Sequence, residues 1–160
     1  LSRLTIRNTG RTTRKLTVTG YIEWLMGPPK GIAPSNIITT LDDATGALLA
    51  RNPLNTAFSG QVAFADLMGT QTGWTCDRTE FLGRNGALGN PAAMARVRLS
   101  GKVGAAFDPC GAIQVPFELA EPGGDIAVVE GLNLVDKGGE HDIMVTNTST
   151  RNNVKSYKYS

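Results

Sequence analysis

Residues 14–25, RKLTVTGYIEWL, decide the fold class. Leu16, Val18, Gly20, Ile22 and Trp24 alternate with Thr17, Thr19, Tyr21 and Glu23. A period of two places the first set on one face of a β-strand and the second on the other. Upstream, Ser2 to Asn8 repeats the pattern, with Leu4 and Ile6 set against Arg3, Thr5 and Arg7. Asn8, Thr9 and Gly10 read as a turn. The two runs are expected to form a β-hairpin with a loop of about five residues. Arg11, Arg14 and Lys15 precede the first acid, Glu23, and read as a solvated basic tip.

Downstream, Gly27, Pro28, Pro29, Gly31 and Pro34 make a rigid loop that cannot be sheet. Asn36 to Leu41 and Ala47 to Arg51 form a second expected hairpin, turned at Asp42 to Gly46. A loop at Asn52, Pro53 and Asn55 leads to strand candidates Gln61 to Leu67 and Gly73 to Leu82. Residues 83–96 are broken by Gly83, Gly86, Gly89 and Pro91, with a helical turn at Pro91 to Met94. Val97 to Ala105, Cys110 to Leu119 and Gly124 to Glu130 follow, separated by turns at Phe107 to Pro109 and Ala120 to Gly123. About nine strands with little helix predict an all-β, antiparallel β-sandwich over residues 1–131. Residues 132–160 are polar, with Ile143 to Val145 as their apolar cluster. They read either as one more strand with a frayed tail or as a non-native extension.

Composition agrees. Gly is 19 and Pro 8 of 160 residues, too many for a long helical bundle. No apolar run approaches the roughly 18 to 20 residues of a membrane span. A 41% hydrophobic chain with net charge +2 is not disordered throughout. The chain opens at Leu1 inside a strand, without initiator Met or signal-peptide pattern, and reads as a piece of a longer protein. Cys76 and Cys110 are too few for a metal site and too far apart for a CxxC motif. They read as free thiols in a reducing compartment, with a disulfide as the minority alternative.

The chemistry-bearing groups are sparse. A glycosidase needs two placed carboxylates, but most acids here lie in turns, where Asp is a turn former first. Asp77 and Glu80, three apart on an expected strand, should face opposite ways. The single His141 lies in the polar tail with no ligand companions, so no metal or triad is expected. Gly83-Arg84-Asn85-Gly86 fits neither phosphate-loop pattern. The basic residues are dispersed, so no nucleic-acid partner is expected. No catalytic residue and no cofactor is assigned.

Residues 73–86, GWTCDRTEFLGRNG, concentrate aromatic, acidic, guanidinium and amide groups. Sugars are held by aromatic faces and by planar groups bonding to hydroxyls. The alternative is that Trp74 and Phe81 are core and the charges decorate an edge strand.

Four blocks carry a family resemblance: RLTIRNTGRTTRKLTVTGYIEWLMG, ARNPLNTAFSGQVAFADL, TGWTCDRTEFLGRNG and LSGKVGAAFDPCGAIQVPFEL. They resemble the β-sandwich part of glycoside hydrolase family 94, the cellobiose-phosphorylase-like enzymes. Within it they are most similar to the phosphorylase-like regions of bacterial cyclic β-1,2-glucan synthases. The resemblance covers about residues 1 to 130 and stops before LNLVDKGGEHDIMVTNTSTRNNVKSYKYS. It implies part of a supersandwich similar to that of galactose mutarotases, larger than this chain. A helical linker and an (α/α)6 barrel carrying the general acid and phosphate site would follow it. It thus implies a module without its own catalytic acid, which packs on that barrel and helps shape the active-site mouth and a homodimer. It also implies a parent enzyme in the bacterial inner membrane, with this region on the cytoplasmic side. Contacts to β-glucan or to the barrel would fall to Arg78, Glu80, Arg84 and Asn85, with Trp74 and Phe81 behind or beside them. Arg51, Asn52 and Asn55 rank second. A purely structural scaffold without sugar binding is the alternative. A stand-alone mutarotase would need a His in the cleft, and His141 lies in the tail.

Overall fold

In the computed structural model the described residues are 2–27, 36–56, 60–106, 108–120, 126–133, 141–147 and 154–158. Nine strands lie within residues 2–133: β1 (Ser2–Arg7), β2 (Arg14–Glu23), β3 (Ile38–Leu41), β4 (Leu48–Arg51), β5 (Ala63–Asp66), β6 (Gly73–Asp77), β7 (Gly104–Ala105), β8 (Pro109–Leu119) and β9 (Ile126–Asn133). β10 (His141–Asn147) and β11 (Val154–Lys158) follow. Among the described residues, helix is confined to α1 (Arg78–Leu82) and a 3-10 turn at Ala92–Ala95. The expected Pro28 to Pro34 loop, the turn residues Phe107 and 121–123, and most of 134–160 lie outside the described residues.

The strands form two antiparallel sheets, ordered β1-β9-β5-β4-β3-β7 and β11-β10-β2-β8-β6. The all-β sandwich expected from the alternating pattern is what the chain adopts. β2 is the spine of the second sheet. It pairs with β8 from Arg14↔Leu119 to Glu23↔Cys110, and with β10 from Leu16↔Asn147 to Ile22↔His141. Ile22, Cys76 and Ile113 of this sheet meet Leu48, Ala50, Ala63 and Ala65 of the other, together with Trp24, Met26 and Ile37. This is the interior of the sandwich. Each fully buried Leu or Ile there contributes roughly 1.5–3 kcal/mol. Gly111 lets β8 pass close to Trp24, since an added Cβ would lie 2.7 Å from the indole Cζ2.

The opposite face of β2 is also buried, which simple alternation did not predict. Tyr21, Cys110 and Ala112 are covered by Phe81 and Leu82 of α1, by Ala93 and Met94 of the 3-10 turn, and by Leu99. This second core explains why β2 is buried on both faces from Val18 onward except at Gly20, which is half-buried.

Two expectations about strands are corrected. β1 and β2 do not form a hairpin: β1 pairs with β9 and β2 with β8 and β10, in different sheets. Residues 8–13 cross between the sheets, and Asn8 fixes the crossing. Its amide donates to the Thr12 carbonyl (2.9 Å) and the Ala120 carbonyl (2.7 Å), while its Oδ1 accepts from the Gly10 N–H (3.0 Å). The expected strand Val97 to Ala105 shrinks to β7. The residues before it run along β6 irregularly, with the Gly101 N–H donating to the Trp74 carbonyl (2.8 Å) and the Cys76 N–H to the Lys102 carbonyl (2.8 Å). Gly101 turns there at φ 75°. The second expected hairpin holds: β3 pairs with β4, and the Gly46 N–H closes the turn on the Asp42 carbonyl at 2.7 Å.

Candidate functional site

The run Gly73 to Leu82, expected as one strand, divides at Asp77. β6 ends there and α1 begins. Asp77 is the N-cap: its Oδ1 accepts the Glu80 backbone N–H at 3.0 Å. This satisfies one of the orphan donors of the first helical turn. Gly83, at φ 90°, ends the helix, its N–H bonded to the Thr79 carbonyl at 3.0 Å. Gly86 admits no side chain, because a Cβ would lie 1.7 Å from the Leu82 carbonyl oxygen.

Glu80 is buried beneath this turn. Its carboxylate accepts the Thr75 hydroxyl (2.9 Å), the Ser100 N–H (3.2 Å), the Ser100 hydroxyl and an Arg96 guanidinium N–H (3.2 Å). Lys102 reaches it at 3.8 Å and Asp77 Oδ2 at 3.0 Å. Asp77 and Glu80 therefore do not face opposite ways. The helical turn brings both to one ammonium group.

A second buried carboxylate lies on β2. Glu23 Oε1 accepts the Tyr21 hydroxyl at 2.8 Å and Arg78 Nε at 2.6 Å. Arg78 also donates to Asp108 Oδ2 at 3.1 Å. The hydrogen bond to Glu23 raises the Arg78 pKa above its ordinary value. Burial, with Cys110 and Glu23 nearby, raises that of Tyr21, which stays a neutral donor. Thus α1 is tied to the sheet through Arg78 and to the 96–102 segment through Glu80. Both buried acids are occupied by donors from the fold itself.

Phe81 is fully buried and stacks on Tyr21, with centroids 4.9 Å apart at 15°. Trp74 is half-buried, packs on the sandwich core and donates Nε1–H to the Gly101 carbonyl at 3.2 Å. Phe81 thus sits behind the surface, whereas Trp74 stays partly exposed. Arg84 and Asn85 are exposed in the loop after α1. Arg51 is exposed, whereas Asn52 and Asn55 both donate to the Met26 carbonyl, at 2.7 and 3.2 Å. The structure thus gathers Arg78, Glu80 and Phe81 into one clasp and leaves the 51–55 loop apart from it. Sequence reading missed Glu23, Ser100, Lys102 and Asp108. The Asp77-x-x-Glu80 spacing of a helix N-terminus was a signal for the clasp.

A cleft of about 340 Å³ opens beside the clasp, lined by Asp77, Thr79, Lys102 to Ala106 and Asp108. Burial alone would raise the Asp77 pKa. The Lys102 hydrogen bond, the Glu80 N–H and the Lys102 charge outweigh it, and the pKa falls below the ordinary 3.8. A depressed carboxylate stabilises the fold above its unfolded pKa and loses that contribution as pH falls through its folded pKa. NMR titration of the Asp77 carboxyl carbon is expected to give a midpoint below 3.8, moving upward in Lys102→Met.

Cys76 and Cys110 are free and buried. Burial pushes the Cys76 thiol up to about 11, against an opposing hydrogen bond with Thr39. Burial and the neighbouring Cys76 push Cys110 up as well. Only thiolates react readily. Both thiols are expected to resist an aromatic disulfide reagent at pH 8 in the native protein and to react fully in denaturant. Among the described residues no group of three or more His, Cys, Asp and Glu side chains can hold a metal ion.

The sandwich, with its clasp between β6 and α1, matches the model of the glycosyl hydrolase 94 supersandwich domain over residues 1–133. The chain belongs to this family. It is also 36% identical over 114 residues to the cyclic beta-(1,2)-glucan synthase NdvB of Rhizobium meliloti (strain 1021), which covers 71% of this chain. The matched part spans 4% of that relative's length. As a glycosyl hydrolase 94 supersandwich, the chain carries its family match through β9. β10 and β11 follow it and extend the second sheet beyond β2.

Proposed function

We propose that the chain is a non-catalytic β-sandwich module of a cyclic β-1,2-glucan synthase or related glucan phosphorylase. It packs against a separate (α/α)6 catalytic barrel of the same parent chain and contacts β-glucan beside that interface. The observation that carries this is the occupancy of the acids. Glu23 and Glu80 are the buried carboxylates among the described residues, and both are engaged by donors of the fold. A general acid must be free to give a proton to its leaving group. Arg84 and Asn85, exposed after α1, are offered to the barrel, with Arg78, Glu80 and Phe81 anchoring the helix that precedes them. The same surface would support a homodimer of the parent. The buried free thiols fit a reducing compartment, the cytoplasmic side of the inner membrane. No helix among the described residues is long and apolar enough to cross a membrane. The burial of Phe81 and Glu80 favours a second reading, a scaffold that binds no sugar.

The test is association with the separately produced barrel region of the parent, measured by sedimentation. The wild-type chain is expected to bind and the double variant Arg84→Ala, Asn85→Ala to bind at least tenfold more weakly. A wild-type chain that does not associate would refute the packing role. Glucose 1-phosphate formed by this chain alone from β-1,2-glucan and phosphate would refute the non-catalytic one.

A further inference from the structure

The lining of the cleft beside the clasp is of two kinds. Asp77, Thr79, Asp108 and Lys102 are polar. Val103, 47% exposed, and Ala105, also exposed, are apolar. At about 340 Å³ the cleft lies at the small end of the range of ligand pockets, which runs from about 300 to 1,000 Å³.

We propose that this cleft is a glycan subsite that seats one neutral pyranose unit of a β-linked glucan. The proposal rests on the chain being a glucan-processing module and places the sugar at a surface distinct from the Arg84–Asn85 loop. The carboxylates are held in position, Asp77 by Lys102 and Asp108 by Arg78. A carboxylate offers about four acceptor sites, so each keeps capacity for a hydroxyl. Lys102 keeps donors beyond its bond to Asp77, and its side chain is 58% exposed. Thr79 adds an exposed hydroxyl. The lining thus offers both donors and acceptors, which suits vicinal diols that both give and take hydrogen bonds. Each acid of the lining already has a cationic partner, Asp77 in Lys102 and Asp108 in Arg78 behind it. A hydroxyl can bond to such paired carboxylates without bringing a counter-charge, which suits a neutral polyol. Val103 and Ala105 supply the surface for the C–H face of the ring.

The test is amide shift mapping of the whole chain by NMR, with a linear β-1,2-gluco-oligosaccharide as probe. Shifts are expected at residues 77–79, 102–106 and 108, saturating in the millimolar range. Ala105→Trp, which fills the cleft from its apolar lining, is expected to weaken binding at least tenfold. Thr79→Val, which removes only a hydroxyl, is expected to weaken it several-fold. Leu54→Ser, on a distant exposed side chain, should leave it unchanged. Shifts centred on residues 84–85 would overturn the cleft while leaving the module reading intact. Absence of any shift at tens of millimolar would also overturn it, whereas barrel association would stand or fall separately. Equal shifts with inorganic phosphate alone would overturn the choice of a neutral sugar.

Discussion

Replacing Phe81 with alanine is expected to destabilise the chain by about 3–5 kcal/mol, the cost of removing a large aromatic side chain from a packed core. Phe81 has no exposed surface, stacks on Tyr21 and packs with Leu82, Ala93 and Met94. The second core is small, so the surrounding α1 and 3-10 turn have little else to collapse upon. In a chain of this size the loss corresponds to a fall in melting temperature on the order of 10 °C. Urea denaturation followed by tryptophan fluorescence measures it. A surface Phe that stacked on sugar would give a change within about 0.5 kcal/mol.

Glu80→Ala is expected to cost about 3 kcal/mol. The carboxylate is buried and accepts four hydrogen bonds, from Thr75, Ser100 (N–H and hydroxyl) and Arg96. Removing it leaves the buried Thr75 hydroxyl without an acceptor, at about 1–3 kcal/mol for a buried unsatisfied group, and takes the partner of the part-buried Ser100 N–H as well. The ionic share is small, because the Arg96 and Lys102 side chains are 49% and 58% exposed and their attraction is screened. Glu80→Gln retains an acceptor oxygen and should lose less, though its NH2 then faces donors. Denaturant unfolding of both variants gives the comparison. Equal and negligible losses would mean that Glu80 is not part of the fold's framework.

The parts of the fold legible in the sequence are those set by local periodicity. β4 and β5 alternate over a buried face, β2 alternates in sequence, and the Asp42 to Gly46 turn carries its own chemistry. Pairing of β1 was not legible, because its partner β9 lies more than a hundred residues away and a short link mimics a hairpin. The segment after Leu99 reads as a strand by composition, but Gly101 and the side chains reaching Glu80 bend it away from regular pairing. At the site, the residue types of 73–86 pointed to a special surface. The structure turns much of that stretch inward. Five residues of α1 suffice to bury Glu80 and Phe81, and a helix so short leaves no periodic signal. Glu23 was hidden because alternation assigned its face to solvent, while α1 and the 3-10 turn cover that face.

Glu80 and Phe81 hold α1 and the 96–102 segment to the sandwich. A double-mutant cycle between Glu80→Ala and Ser100→Ala, read by urea unfolding, tests it most directly. The two residues share both a backbone and a side-chain hydrogen bond across the clasp. The expected coupling is on the order of 1 kcal/mol or more, favouring the native pair. Strictly additive losses, or a Glu80→Ala protein as stable as wild type, would contradict a framework role for Glu80.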